Sequence, residues 1–374
     1  MAGIYIHIPF CRQACYYCNF HFSTNTTRVE DMTHSIAKEI NLQKDYLSEK
    51  KLETIYFGGG TPSILSEEQL NLILKEVHKH FEVAKDAEIT LEANPDDLTL
   101  EKIKSLKRNG INRLSIGIQS FHDQNLKSMN RIHSSEEAIR CVKDAQSEGI
   151  ENISIDLIYA MPSVDHKLWK KDLEIAMNLN VPHISSYCLT VEEKTVLGNW
   201  TRKGKFHPMD DDFAAEQFEI LVETLMQNGY EHYEISNFAK PNWHSKHNSN
   251  YWKQVPYLGV GPGAHSFDGI NRQFNVSNNA HYLKALEENK LPFELDELSK
   301  EDNINEYIMI SLRTKWGCDL SYLKNQYQFD LLSHFEKELK SYNEGGYIRT
   351  ENDTLFLTEK GKLLADQIAG DLFL

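Results

Sequence analysis

The chain has 374 residues, 40% of them hydrophobic and 25% charged, which predicts a soluble globular protein with one large domain and one or two smaller ones. A formal net charge of −15 argues against a nucleic-acid backbone as partner, because phosphate binding needs clustered Lys and Arg. No run of apolar residues is long enough to span a membrane, and MAGIYIHIPFCRQ lacks the basic flank of a signal peptide, so a reducing cytoplasm is expected.

The first element is a short β-branched and aromatic run that leads into Cys11, Cys15 and Cys18 at CxxxCxxC spacing. Three thiolates so spaced hold three corners of a [4Fe-4S] cubane and leave its fourth iron open to a small ligand. Zinc in a structural site wants four closed ligands, commonly a CxxC pair plus a distant pair, and a disulfide would strand one cysteine. Cys141, Cys188 and Cys318 stand singly and are expected to be small buried residues.

Beyond the cysteines, apolar spacing predicts a helix over 29–47 and a strand over 54–57 that ends in Gly58, Gly59 and Gly60. Ser66 and Gln69 make a capping-box spacing for the next helix. Strands follow at 88–95, 113–121, 152–162 and 183–190, with helices at 99–108, 135–147 and 165–179 between them. Strands that alternate with helices form right-handed βαβ units, and six units predict an α/β fold, a partial parallel β/α barrel with its site at the C-terminal ends of the strands.

After residue 190 the rhythm breaks. A long helix is expected over 212–228, and 230–267 is dense in aromatics, His, Gly and Pro, which reads as irregular and functional. From residue 302 helices, a short hairpin and a last helix suggest a smaller, mainly helical, winged-helix-like module, with Lys and Arg too interleaved with acids for DNA. The expected division is 1–200 for the barrel, 201–295 for a connecting region and 296–374 for the C-terminal domain.

CxxxCxxC with Tyr17 between its last two cysteines resembles the radical S-adenosylmethionine superfamily. The flanking YIHIPFC narrows the resemblance to the oxygen-independent coproporphyrinogen III oxidase family and its close relatives, the heme chaperones. In that superfamily the amino and carboxylate groups of S-adenosylmethionine chelate the open iron. The resemblance implies that Gly59, Gly60 and Thr61 of GGGTP contact the amino group, with Tyr5 and the Tyr17 backbone flanking the cofactor. It assigns further contacts to Glu92 in LEANP, Gln119 in GIQSF, Arg131 in MNRIH and Asp156 in IDLIYAMP. A carboxylate suits a ribose diol and Arg131 suits the methionine carboxylate. Independently of any resemblance, carboxylates set in apolar runs are costly to bury unless they share a polar ligand.

Two departures separate the branches. The oxidases carry a further cysteine two residues past the third cluster ligand, where this chain has Phe20. Residues 247–252, HNSNYW, match the HNxxYW motif of the heme chaperones. A His247 nitrogen suits heme iron, and Tyr251 and Trp252 offer flat apolar faces, with His244 and His265 as alternative ligands. The resemblance therefore implies a heme chaperone that delivers heme to apo-cytochromes of respiratory enzymes, without coproporphyrinogen III dehydrogenase activity. It leaves room for a homodimer and for peripheral membrane association. The rival is the oxidase itself, a radical enzyme that decarboxylates two propionates of coproporphyrinogen III.

Overall fold

In the computed structural model, which describes residues 2–374, six parallel strands lie side by side in chain order. They are β1 (Ala2–Ile8), β2 (Lys51–Gly59), β3 (Glu82–Ala93), β4 (Arg113–Gln119), β5 (Asn152–Tyr159) and β6 (His183–Cys188). The intervening helices include α1 (Val29–Leu42), α2 (Glu67–His80), α3 (Leu100–Arg108), α4 (Asp123–Ser128), α5 (Ser135–Ser147) and α6 (Lys167–Leu179). Ser66 and Ser134 start α2 and α5 with complete capping boxes, as their spacing to Gln69 and Glu137 requires. The first helix stops at Leu42 rather than at residue 47, and Leu47 packs into the core from the turn beyond it.

Each strand has two different faces. Ile4, Ile6 and Ile8, then Ile55 and Phe57, Leu91 and Ala93, Leu114 and Ile116, and Ile153 and Ile155 pack in the main hydrophobic core with the helices. Alternate positions carry Tyr5, stacked on Tyr56, and the hydrogen-bonded pairs Tyr56–Glu92, Ser115–Asp156 and Asp156–Ser185. Side chains alternate across a strand with period two, so one sheet holds an apolar outer face and a polar inner one.

The sheet does not close. Among the described residues, β1 and β6 pair with later strands and not with each other. On one flank β9 (Tyr257–Val260) runs parallel to β1 and continues into antiparallel β10 (His265–Phe267), β11 (Arg272–Asn275) and β12 (Phe293–Asp296). On the other, β8 (Asn237–Ala239) pairs antiparallel with β6, and β7 (Glu231–Glu234) pairs antiparallel with β8 at the sheet's edge. The stretch 230–267, expected to be irregular, thus contains four short strands joined by irregular segments. It also holds the short helix α9 (Lys246–Trp252), after α7 (Val196–Arg202) and α8 (Asp211–Gln227). Its strands are three or four residues long, too short to show a period in sequence.

A second core lies under the C-terminal helices, from Ile304 to Leu372. There α11 (Lys300–Leu312), which follows α10 (Asn279–Glu287) of the main core, leads into further helices and a three-stranded sheet of β13 (Cys318–Asp319), β14 (Ile348–Glu351) and β15 (Thr354–Leu357). Asn352 and Asp353, both at positive φ, make the tight turn of the β14–β15 hairpin. Cys141 and Cys318 are buried as expected, but Cys188 is exposed because it closes β6 at the mouth of the sheet. No helix of the described residues is long and apolar enough to cross a membrane.

Candidate functional site

The loop after β1 carries Cys11, Cys15 and Cys18, all free thiols, and it is tied down at several points. Cys11 N donates to Ser23 O at 3.1 Å, Thr61 N to Phe10 O at 2.8 Å, and Tyr16 N to Met129 O at 3.1 Å. Asn130, held at φ 63°, donates through its amide to Ala14 O at 2.7 Å and accepts from Gln13 at 2.7 Å. A loop leaving a parallel strand thereby becomes rigid without secondary structure of its own.

Above the strand ends a cavity of about 580 Å³ opens, lined by the three cysteines and by Tyr17, Gly59, Gly60, Thr61, Glu92, Gln119, Arg131 and Asp156. Every site residue expected from sequence meets in this one cavity except Tyr5 and His247. The β2 end supplies the glycine turn. Gly59 sits at φ +106°, and a Cβ on Gly60 would stand 2.6 Å from Phe10 O and 2.8 Å from Ile8 O. Only glycine lets the turn lie against the cysteine loop so closely. From this turn the Thr61 hydroxyl donates to Cys11 Sγ at 3.2 Å.

Arg131 binds the opposite side. Its guanidinium donates to Asn94 Oδ1 at 2.8 Å, to Gly117 O at 2.5 Å and to Cys15 Sγ at 3.5 Å, while Nε is buried without a partner among the described residues. Gln119 adopts φ 68°, unusual for a residue with a side chain, just after an irregularity in the β4–β5 register. Glu92 accepts from the Tyr56 hydroxyl at 2.8 Å and from Gly59 N at 3.1 Å. Burial pushes Glu92 up to about 7 and Asp156 up to about 6. Burial likewise raises Cys11 to about 11, which leaves it a neutral thiol until a metal displaces its proton. Two carboxyls half-buried in the cavity wall, an arginine with an unused donor and thiols that receive hydrogen bonds form a donor set suited to an iron–sulfur cluster and a polar, zwitterionic ligand beside it.

Sequence reasoning passed over Asn94, Tyr187 and Cys188, which also line the cavity. Asn94 stands two residues after Glu92, and its position after β3 was the available signal. Phe20 is at the cavity too, 74% exposed.

Tyr5 lies below the cavity, stacked on Tyr56 at 6.0 Å with its hydroxyl 3.2 Å from His7 Nδ1. His247 lies deeper still, only 2% exposed. Its backbone N donates to Glu88 Oε1 at 3.0 Å, and Glu88 also accepts from Lys246 N, so one buried carboxylate caps α9. Both ring nitrogens are engaged, Nδ1 with Thr54 Oγ1 at 2.8 Å and Nε2 with the Tyr251 hydroxyl at 2.7 Å. The imidazole stacks on Tyr56 at 5.0 Å, and burial pushes it down to about 3. His247 thus belongs to a closed polar network in the barrel, with Tyr251 one helical turn away between it and the outside. His244 bonds to Glu231 at 2.9 Å, whereas His265 is exposed at the start of β10.

Comparison with known proteins places these features in context. Residues 5–175 match the radical SAM superfamily and residues 298–364 the HemN C-terminal domain. The chain is 36% identical over 373 residues to a protein of Bacillus subtilis named heme chaperone HemW, covering 99% of this chain and 98% of that one. It is 34% identical to the protein of that name from Lactococcus lactis, covering 97% and 95%. Among solved structures, the coproporphyrinogen III oxidase HemN of Escherichia coli superposes with a TM-score of 0.85 at 22% identity, over 100% of this chain and 90% of that one.

Proposed function

The chain belongs to the HemW family of radical SAM proteins, and on that premise we propose that it is a heme chaperone, one that binds heme and passes it to apo-cytochromes of respiratory enzymes. The single observation that supports this best is HNSNYW, which the fold presents as α9, with Tyr251 and Trp252 at the end that leaves the barrel. Phe20 beside the cavity, where the oxidases are expected to carry a further cysteine, points the same way.

The radical SAM fold implies a [4Fe-4S] cluster and S-adenosylmethionine. Cys11, Cys15 and Cys18 are proposed to hold the cluster, and Thr61 and Arg131 to donate hydrogen bonds to its thiolates. The cluster supplies one-electron reducing power to a bound S-adenosylmethionine. Gly59, Gly60 and Thr61 would meet the ligand's amino group, Arg131 its carboxylate, and the Glu92 and Asp156 carboxyls its ribose hydroxyls. Gln119, fixed by its backbone conformation, closes the same wall. Residues 296–374 are proposed as a domain with its own core.

The test is a hemin titration run beside an anaerobic assay of reconstituted protein with coproporphyrinogen III, reductant and S-adenosylmethionine. About one heme per chain and no conversion are expected. Decarboxylation that depends on S-adenosylmethionine would overturn the reading in favour of the oxidase.

A further inference from the structure

The expected heme residues meet a second cavity on the outer side of α9. This cleft of about 680 Å³ separates the sheet from the C-terminal helices and falls within the range, about 300–1,000 Å³, of pockets that hold small ligands and cofactors. Tyr251, Trp252 and Tyr257 form one wall, with the Tyr251 and Tyr257 rings edge to face at 4.6 Å. Phe267 and Arg272 line it from β10 and β11, and Met309 from α11. Two wall donors, Trp252 Nε1 and Arg272 Nε, are buried without a partner among the described residues.

We propose that this interdomain cleft is the cargo site, in which the heme macrocycle lies between the Tyr251–Trp252 end of α9 and Met309 of the C-terminal domain. The inference rests on the heme-chaperone reading and adds the place and the orientation. Aromatic rings and a thioether suit a flat apolar macrocycle. The cavity above the strand ends does not, since its buried carboxyls, amides and Arg131 ask for a polar ligand. Arg272 is already paired with Glu306 and faces Asp296 across the β11–β12 ladder, so this end offers no free charge to a propionate. The macrocycle therefore enters by its apolar edge and leaves both propionates in solvent. Tyr251 stands between cargo and His247, which makes His247 a positioning residue for the wall. Met309 and Tyr257 carry the atoms on the walls able to ligate iron.

The full-length, anaerobically reconstituted protein tests this by hemin titration, followed by Soret absorbance and by quenching of tryptophan fluorescence. Met309→Lys and Phe373→Glu place a charge in the cleft at side chains that are 41% and 38% exposed, positions that tolerate polarity in the folded state. Each is expected to weaken hemin binding at least tenfold with cluster iron unchanged, and Trp252→Phe to lose part of the quenching. If the native protein binds hemin and both charge variants bind it equally well, the cleft is the wrong place although the chaperone reading stands. If Tyr187→Trp, which narrows the barrel mouth, weakens binding where Met309→Lys does not, heme lies above the strand ends and the proposal falls. A native protein that binds no hemin overturns both readings.

Discussion

His247→Ala is the perturbation that the structure constrains most. The imidazole is buried, bonded at both nitrogens and stacked on Tyr56, so its loss acts in two ways. Thr54 Oγ1, itself fully buried, loses its partner and cannot reach water, at about 1–3 kcal/mol. The space left against Tyr56 and Tyr5 adds about 1–2 kcal/mol, the lower end of what large-to-small core substitutions cost. Tyr251 can turn its hydroxyl toward the cleft and contributes little. The expected loss is therefore about 2–5 kcal/mol in unfolding free energy, measured by urea titration, with Tyr251→Phe costing about 1–2 kcal/mol because it strands only Nε2. The double variant should cost less than the sum, with a coupling near 1 kcal/mol. The same group gives a pH signature. Its folded value, about 3, lies below the ordinary 6.5, so the unfolded chain takes up a proton first. Stability from this group is complete above 6.5 and falls as the pH drops toward 3, by up to about 1.4 kcal/mol per unit, a slope that His247→Ala should flatten. A folded His247→Ala protein within about 1 kcal/mol of the native one, with no coupling to Tyr251, would refute the closed network and return the imidazole to the role of heme ligand.

Further outcomes concern the barrel mouth. Replacing Cys11, Cys15 or Cys18 by Ala should abolish the brown colour and the iron, expected at about four per chain, as measured by iron assay on anaerobic protein. Gly60→Ala should lower iron content as well, since its Cβ meets the backbone of Ile8 and Phe10 and pushes the cysteine loop away, whereas Gly370→Ala, with open space around it and no positive φ, should leave the iron content unchanged. Glu92 sits near 7 in the folded state against an ordinary 4.5, so the stability it contributes is complete below 4.5 and is lost as the pH rises through 7. Glu92→Gln should therefore raise the stability of the cofactor-free protein at pH 8 by about 1–3 kcal/mol while weakening S-adenosylmethionine binding in a calorimetric titration; unchanged stability would mean the carboxyl is hydrated rather than buried.

Much of the molecule is determined by short-range pattern, and that part was legible in the sequence alone. The CxxxCxxC spacing, the GGGTP turn and the Ser66 capping box each act within a few residues, where chain geometry leaves little freedom. Strand–helix alternation then limits six strands to a parallel sheet in chain order, which carries Glu92, Gln119 and Asp156 to a common rim. Tertiary structure alone decided the rest. Strands β7 to β12 have no readable period of their own and exist because the open sheet offers unpaired edges at β1 and β6. His247 could equally have faced a ligand or the interior, and the choice was made by Thr54, 193 residues away, together with the Glu88 carboxylate that caps α9. The cleft beyond Tyr251 joins residues of the sheet to α11 and Phe373, so no local pattern could announce it. A contact between distant segments is set by how packed faces fit together, and that fit is a property of the whole fold.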